Sequence, residues 1–211
     1  MLNPLQQDAL KEYMNVVIGQ AGQVLSEMVN QKVYLEVPDV QLLQTRDRFI
    51  LQELVASILK GHVVSSSLRF GVECSGRARL LFPVEKGKKL VNLMIGDEEF
   101  SDHSTNEAGF SDTDTDAMKE IGNVLLNVII GSLGNLLSTR IEYSLPEIEF
   151  LFVEGVRQDP FFHPGHYTLV LRNTFVVGEE RIEGAIFVML QMDSATRLIE
   201  KIDEMLVDIY E

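Results

Sequence analysis

The chain has 211 residues, of which 45% are hydrophobic, and its 18 basic and 32 acidic side chains give a formal net charge of −14 at pH 7. This length can bury a substantial core, either in one large domain or in two fused halves. The acidic balance argues against nucleic acid as a partner, because phosphates attract a basic surface. The single cysteine, Cys74, excludes an internal disulfide bond.

Nothing in the sequence is typical of a secreted or membrane-spanning protein. The N-terminal residues lack the basic flank and the uninterrupted apolar core of a signal peptide. The longest apolar stretch, residues 124–137, is interrupted by three polar residues. It also falls short of the roughly 18 residues that a membrane span needs. We therefore expect a cytoplasmic protein that does not insert into a membrane.

The chain begins with a predicted long helix. Asn3 is suited to the N-cap and Pro4 to the first helical position, so the helix should run to about residue 30. Residues 32–43 alternate in polarity and predict a strand, in which Pro38 is tolerable only at an edge or a bulge. A second helix is predicted over residues 48–60.

Two strands and a short helix complete the first half. The strands are predicted over residues 63–72 and 76–82, joined by a turn, and the helix over residues 85–94. Much of this order returns in the second half. There the predicted elements are strands over residues 140–153, 167–177 and 181–191 and a closing helix over residues 194–209.

Residues 156–166 contain two prolines and predict a loop where the first half has its second helix. His163 and His166 lie three residues apart in this loop. Because a metal site usually needs a third or fourth ligand, we interpret the pair as part of a surface loop rather than as a metal site.

The segment between the halves, residues 96–111, is acidic and rich in Ser, Thr, Asn and Gly. This composition predicts a linker that is mobile or loosely laid on the surface. Thr113 and Asp116 have the spacing of a capping box, which predicts the start of the second long helix. The predicted organisation is one domain, residues 1–211, made of a first half (1–95), a linker (96–111) and a second half (112–211).

One phrase occurs in both halves. Residues 8–15 read Asp-Ala-Leu-Lys-Glu-Tyr-Met-Asn, and residues 116–123 read Asp-Ala-Met-Lys-Glu-Ile-Gly-Asn. In each copy the final asparagine is followed by 22 residues and then a proline, Pro38 or Pro146, so the offset is 108 throughout. Matching Asp, Glu, Asn and Pro at one spacing has a chance probability on the order of 10⁻⁵ from average residue usage. A duplication under a shared constraint is the better account.

Each copy places its polar residues on one side of a helix. At about 100° per residue, an apolar stripe forms opposite the Asp, Glu and Asn of each phrase. The glutamate and the asparagine are three residues apart, so their side chains are neighbours on the surface. The stripes consist of Leu10, Met14, Val17, Ala21, Leu25 and Met28 in the first copy, and Met118, Leu125, Ile129, Leu133 and Leu136 in the second. A lone Glu or Asn on such a face is usually a solvated surface residue.

The chemistry of these residue types is limited and specific. An asparagine carboxamide has a donor and an acceptor but no useful pKa, so it is neither a nucleophile nor a general base. It can orient a water molecule, as a glutamine does in GTPases. The sequence has no Gly-rich phosphate loop, no suggestive Ser/His/Asp or Cys/His arrangement and no usual metal-ligand spacing.

The duplicated pattern Asp, three residues, Glu, two residues, Asn, 22 residues, Pro resembles the signature of the CheC family of phosphatases. These enzymes act on the phosphorylated chemotaxis response regulator CheY. The resemblance implies an α/β (α+β) fold that is internally duplicated and pseudo-twofold. It implies a mainly antiparallel sheet, with the two long motif helices presented on one surface.

The resemblance also assigns roles. The phosphorylated aspartate, its Mg²⁺ and a lysine would belong to the CheY-like receiver domain, so the chain would carry no cofactor of its own. Glu12 or Glu120 would pair with that lysine, and Asn15 or Asn123 would hold the hydrolytic water in line. The remaining motif positions, Asp8, Asp116, Pro38 and Pro146, would support the site. The two aspartates are equally well explained as residues that start a helix.

Other interpretations stay open beside this one. Flagellar switch proteins of the FliM type resemble the family but lack the catalytic motif, which makes a non-catalytic interaction module the alternative. The resemblance is also compatible with binding to a CheD-like deamidase. The surroundings of the two sites differ, because Tyr13 and Met14 of the first copy are replaced by Ile121 and Gly122 in the second. We therefore expect the two sites to have unequal activities.

Four glycines inside the predicted motif helices admit two interpretations. Each lowers helix stability by roughly 1 kcal/mol relative to alanine. They either let a partner come close to the helix or pack closely against the rest of the chain. The four residues are Gly19, Gly22, Gly131 and Gly134.

Overall fold

The computed structural model describes residues 2–44, 47, 53, 55, 57–96, 109–153 and 165–210. Four long helices and seven strands are defined within these ranges. The helices are α1 (Pro4–Val29), α2 (Val84–Ile95), α3 (Asp112–Leu136) and α4 (Met192–Tyr210). The strands are β1 (Val33–Gln44), β2 (Gly61–Val72), β3 (Gly76–Pro83), β4 (Ile141–Tyr143), β5 (Glu147–Val153), β6 (His166–Val177) and β7 (Glu180–Gln191).

All seven strands form one sheet, in the order β1-β6-β7-β3-β2, with β4 and β5 both pairing with β2. Every pairing among the described strands is antiparallel. The strands that follow each motif helix therefore pair with a strand of the other half, β1 with β6, and β4 and β5 with β2. The predicted mixed fold with a mainly antiparallel sheet is confirmed.

The core lies mainly on the face of the sheet that the four helices cover. The alternation of side chains along a strand sends Leu169 and Leu171 of β6 into this larger cluster and Val170 into a smaller cluster on the opposite face. The smaller cluster includes Val55 and Leu59, from the segment between β1 and β2. Both faces of the sheet centre are therefore buried.

Helix α1 begins as predicted. The Asn3 side chain accepts from the Gln6 backbone N–H at 2.9 Å, while the Gln6 side chain accepts from the Asn3 N–H at 2.9 Å. This capping box satisfies two backbone donors that have no partner within the helix. The helix ends at Asn30, in a left-handed conformation with φ 51°. The predicted apolar stripe is buried up to Leu25, whereas Met28 is 48% exposed.

Helix α3 begins two residues earlier than predicted, so the capping role assigned to Thr113 and Asp116 was wrong. Ser111 is the N-cap: its hydroxyl accepts from the Asp114 N–H at 3.2 Å, and Asp114 accepts from the Ser111 N–H at 2.7 Å. Lys88 of α2 forms an ion pair with the buried Asp114 carboxylate. That tertiary contact favours the earlier of two similar cap sequences and leaves Asp116 exposed.

The single strand predicted for residues 140–153 is two strands, β4 and β5. Residues 144–146 separate them, and the register on β2 shifts across the break: Tyr143 pairs with Phe70, whereas Glu147 pairs with Ser67. Pro146 has no N–H to donate to a ladder, which explains why the strand is interrupted there.

Several predictions fall partly outside the described residues. For the helix predicted over residues 48–60, only residues 53, 55, 57 and 58 are described as helical. Most of the predicted linker and of the loop with His163 also lies outside, whereas His166 is described and begins β6. Among the described residues, no helix is both long and apolar enough to cross a membrane.

Candidate functional site

The side chain of Asn15 is fixed by the strand that follows its helix. The Val37 backbone N–H donates to Asn15 Oδ1 at 3.1 Å. At this point the register of β1 on β6 shifts, because Glu36 pairs with Thr174 and Asp39 pairs with Arg172. Pro38 thus lies at a bulge of an edge strand, as predicted. The spacing between Asn15 and Pro38 lets the asparagine bind the backbone of the bulge.

The second asparagine is fixed differently. Asn127, one turn further along α3, donates its Nδ2 to Asn123 Oδ1 at 2.8 Å. Leu145 occupies the position equivalent to Val37, but its side chain is 82% exposed, whereas Val37 is 2% exposed. Each carboxamide is therefore held by one hydrogen bond to its carbonyl oxygen, from a backbone donor in the first site and from a side chain in the second.

The motif carboxylates face solvent. Glu12 and Glu120 are exposed, and within the described ranges neither carboxylate makes a hydrogen bond or an ion pair. Asp8 and Asp116 lie one helical turn earlier and are also exposed. Like charges four residues apart lower the stability of a helix by about 0.2–0.5 kcal/mol. Each motif therefore presents acidic groups that a cation on a partner would stabilise.

The two motif helices lie side by side on one face of the sheet. The Tyr13 hydroxyl of α1 donates to the Ser132 backbone carbonyl of α3 at 2.7 Å. Desolvation by burial raises the pKa of Tyr13, so the phenol stays protonated and able to donate. This contact fixes one motif helix relative to the other.

The four helix glycines separate into two pairs. A Cβ on Gly22 would lie 3.2 Å from the Val33 carbonyl oxygen, and one on Gly134 would lie 3.1 Å from that of Thr139. Both are buried, so they do not lie on the outer face and their role is close packing. A Cβ on Gly19 or on Gly131 would meet no atom within 4 Å. For Gly19 and Gly131, the approach of a partner remains a prediction.

The difference between Met14 and Gly122 has a packing reason. Met14 is fully buried in the core. A Cβ on Gly122 would lie 2.0 Å from Ser66 Oγ, so glycine lets α3 approach β2. The helix backbone therefore comes closer to the sheet at the second motif than a larger residue would permit.

Sequence reasoning did not find the groups that orient the two asparagines. Val37 binds Asn15 through its backbone N–H, so the identity of its side chain gives no signal. The constant distance from each asparagine to its proline did point to this part of the chain. Asn127 is one of the three polar residues that interrupt the apolar stretch of residues 124–137. Its position four residues after Asn123 is the spacing of neighbouring side chains on a helix and could have identified it.

Comparison with known proteins gives consistent matches. The model of the CheC-like family matches residues 5–42, which include the first motif and its proline. The chain is 26% identical over 145 residues to the CheY-P phosphatase CheC of Bacillus subtilis, covering 68% of this chain and 65% of that protein. It is 26% identical over 153 residues to the flagellar motor switch phosphatase FliY of the same organism, covering 72% of this chain but 37% of FliY.

Solved structures share the whole fold. Thermotoga maritima FliY superposes with a TM-score of 0.71 at 18% identity, covering 97% of this chain and 98% of that one. The FliM middle domain of H. pylori gives 0.62 at 9% identity, covering 95% and 99%. The sequence matches are to CheC-like proteins, the family that the duplicated motif indicated, and the solved structures show the shared fold.

Proposed function

We propose that this protein hydrolyses the aspartyl phosphate of a CheY-like receiver domain. The observation that carries the proposal is a duplicated, outward-facing pair in which the glutamate carboxylate is unpaired and the asparagine carboxamide is held in place. The names of the two matched relatives, a CheY-P phosphatase and a flagellar motor switch phosphatase, support the same class of reaction.

The asparagine orients the attacking water. A carbonyl oxygen has two lone pairs, so Asn15 Oδ1 and Asn123 Oδ1 can each accept a water proton in addition to the hydrogen bond that fixes them. The water then directs its own lone pair toward phosphorus. Its oxygen bonds to phosphorus as the bond to the aspartate oxygen breaks, releasing phosphate and a free carboxylate. Phosphoryl transfer depends mainly on positioning and charge stabilisation, so no general base is required from this chain.

The glutamate docks the receiver. Glu12 or Glu120 pairs with the lysine of the receiver's active site and so brings the asparagine next to the phosphoryl group. The Mg²⁺ that stabilises the phosphoryl charge is part of the receiver, as is the phosphorylated aspartate. Each motif helix thus adds two side chains to a site that the substrate itself largely supplies. Such a substrate would place the protein in the cytoplasm.

The two sites are expected to differ in rate. Asn15 is held by the backbone N–H of the buried Val37, whereas Asn123 is held by another side chain on its own helix. Leu145, the residue equivalent to the buried Val37, also exposes a large apolar side chain. Both differences change how a receiver fits, so we expect unequal turnover at the two sites.

Phosphate release from a phosphorylated, Mg²⁺-loaded receiver domain tests the proposal. Asn15→Ala and Asn123→Ala should each lower turnover, and the double variant should lose it by on the order of 10²-fold or more, because the oriented water is lost. Binding of the receiver should persist in all three variants. Asn135→Ala, which removes an exposed carboxamide about three turns further along α3, is the matched control and should keep full activity. Normal turnover by the double variant would refute the proposal.

The alternative is a non-catalytic module that binds a response regulator, a flagellar-switch component or a CheD-like deamidase. The likeness to the FliM middle domain favours it only at the level of the fold. The intact Glu-Asn pair in both halves argues against it. Failure of the unmodified chain to release phosphate from several receivers, with binding still detectable, would favour this module. Binding of a CheD-like protein is compatible with catalysis and would be measured separately.

A further inference from the structure

Asn127 contacts the carboxamide of Asn123, the residue assigned to the attacking water in the second site. Its Nδ2 donates to Asn123 Oδ1 at 2.8 Å, one turn back along α3. We propose that Asn127 is a positioning residue that selects the orientation of the Asn123 carboxamide. This inference rests on the proposed phosphatase function and deepens it, since it names a residue on which turnover at the second site depends.

The other end of the Asn127 carboxamide supports this role. Its Oδ1 is buried and has no hydrogen-bond partner among the described residues. A buried acceptor without a partner lowers the stability of the folded protein, and such groups are few in native structures. A leucine at this position would avoid that loss. Residues that violate a folding rule in this way are expected mainly at functional sites.

The first half has a backbone donor to its motif asparagine, which the second half lacks in the described residues. The residue equivalent to Asn127 is Gly19, which has no side chain to donate a hydrogen bond. Asn15 does not need one, because the Val37 N–H already binds its Oδ1. In the second half the equivalent Leu145 makes no such bond within the described ranges, and Asn127 supplies the donor instead. The two halves thus fix the same atom by different means.

The orientation matters because the two ends of a carboxamide act differently on water. The terminal torsion of asparagine is broad and roughly twofold, so an unrestrained carboxamide also presents its NH₂ group to the water. The NH₂ group would occupy the water lone pair that has to attack phosphorus. One hydrogen bond to Oδ1 restrains that torsion and leaves a second lone pair for the water proton. Loss of the bond should therefore lower kcat more than it changes KM.

The test isolates the second site by using the full chain with Asn15→Ala. Asn127→Leu and Asn127→Asp are then introduced; both retain a similar shape, and the second replaces the donor with an oxygen. We expect kcat for phosphate release to fall about tenfold in each, with KM within about twofold of the parent. The Tm of the leucine variant should equal or exceed that of the parent, because the unpaired oxygen is gone. A merely structural role predicts a lower Tm instead.

The same two substitutions in the Asn123→Ala chain serve as the control. First-site turnover should then be unchanged within about twofold, since Asn15 is held by Val37. Equal losses in both backgrounds, or a normal kcat in the Asn15→Ala background, would overturn the inference. So would an inactive Asn15→Ala chain beside an active unmodified one, because a correctly held Asn123 should work. Absence of release from the unmodified chain would overturn the proposed function itself, and this inference with it.

Discussion

At the scale of single residues, Glu12 and Glu120 are exposed carboxylates with a second carboxylate one turn away and no cation bound to them in the described part of the chain. Two such carboxylates lower the stability of the isolated helix, whereas a lysine placed opposite them would stabilise them. Their contribution is therefore made in the complex rather than in the fold. The neighbouring asparagines differ, because each already makes one hydrogen bond within the chain.

Reversing these charges should weaken docking of the receiver. We expect Glu12→Lys with Glu120→Lys to raise the Kd for a phosphorylated receiver by about tenfold or more, because each places like charges together at a specific contact. Titration calorimetry at two salt concentrations measures the effect. Glu12→Lys alone has Glu27→Lys as its matched control: both substitutions change the charge by two units, and Glu27 is an exposed residue about four turns further along α1. If Glu27→Lys weakened binding as much, the overall charge rather than the motif would be responsible.

At the scale of elements, the start of α3 depends on a charged contact with α2. Burial on its own would raise the pKa of the Asp114 carboxyl, but hydrogen bonds from Lys88 and Ser111, with the charge of Lys88, outweigh burial and lower that pKa below its usual value. The Asp114 side chain is 7% exposed and that of Lys88 is 28% exposed. This contact fixes the N-terminus of the helix that carries the second motif.

Asp114→Asn should lower the free energy of unfolding by about 1–3 kcal/mol at pH 7, because hydrogen bonds to a charged group are lost. The folded carboxyl has a lower pKa than the unfolded one, near 3.9, so its stabilisation is present above about pH 4 and is lost as pH falls through the folded pKa. Urea unfolding at a series of pH values should show the two chains converging in acid. Asp112→Asn, exposed in the same turn, should change stability by less than about 1 kcal/mol. A difference that persists in acid would contradict this account.

At the scale of the whole molecule, the halves exchange strands. Of the six strand pairings among the described residues, four join a strand of the first half to one of the second: β1 with β6, β3 with β7, and β2 with β4 and β5. The Tyr13 contact joins the two motif helices, α1 and α3, as well. The halves are duplicated in sequence, yet the sheet is shared between them.

The halves should therefore stay associated after the chain is cut between them. We expect a chain cleaved at a protease site inserted within residues 97–108 to elute at the mass of the intact protein, because four strand pairings still hold it together. Size-exclusion chromatography with light scattering, with and without denaturant, measures this. The uncut chain with the same insertion is the control. Separation of the fragments in native buffer, or cooperative folding of an isolated first half as a monomer, would contradict the prediction.

Local signals in the sequence were enough to predict the approximate bounds of the described helices and most of the strands. Periodicity and capping placed α1 almost to the residue, because these signals are local. The duplicated spacing also singled out the two Glu-Asn pairs. Pro38 was predicted at an edge or a bulge, since a proline lacks the N–H that a strand ladder needs. These features depend on residues close together in the chain.

Tertiary contacts select among local signals that compete in the sequence. Two similar caps lie two residues apart before α3, and the ion pair with Lys88 favours the one at Ser111. Gly22 and Gly134 pack against backbone, whereas Gly19 and Gly131 remain open. The donors to Asn15 and Asn123, and the exchange of strands between the halves, depend on groups brought together by folding. Sequence spacing marks such places, but the three-dimensional packing determines which atoms meet there.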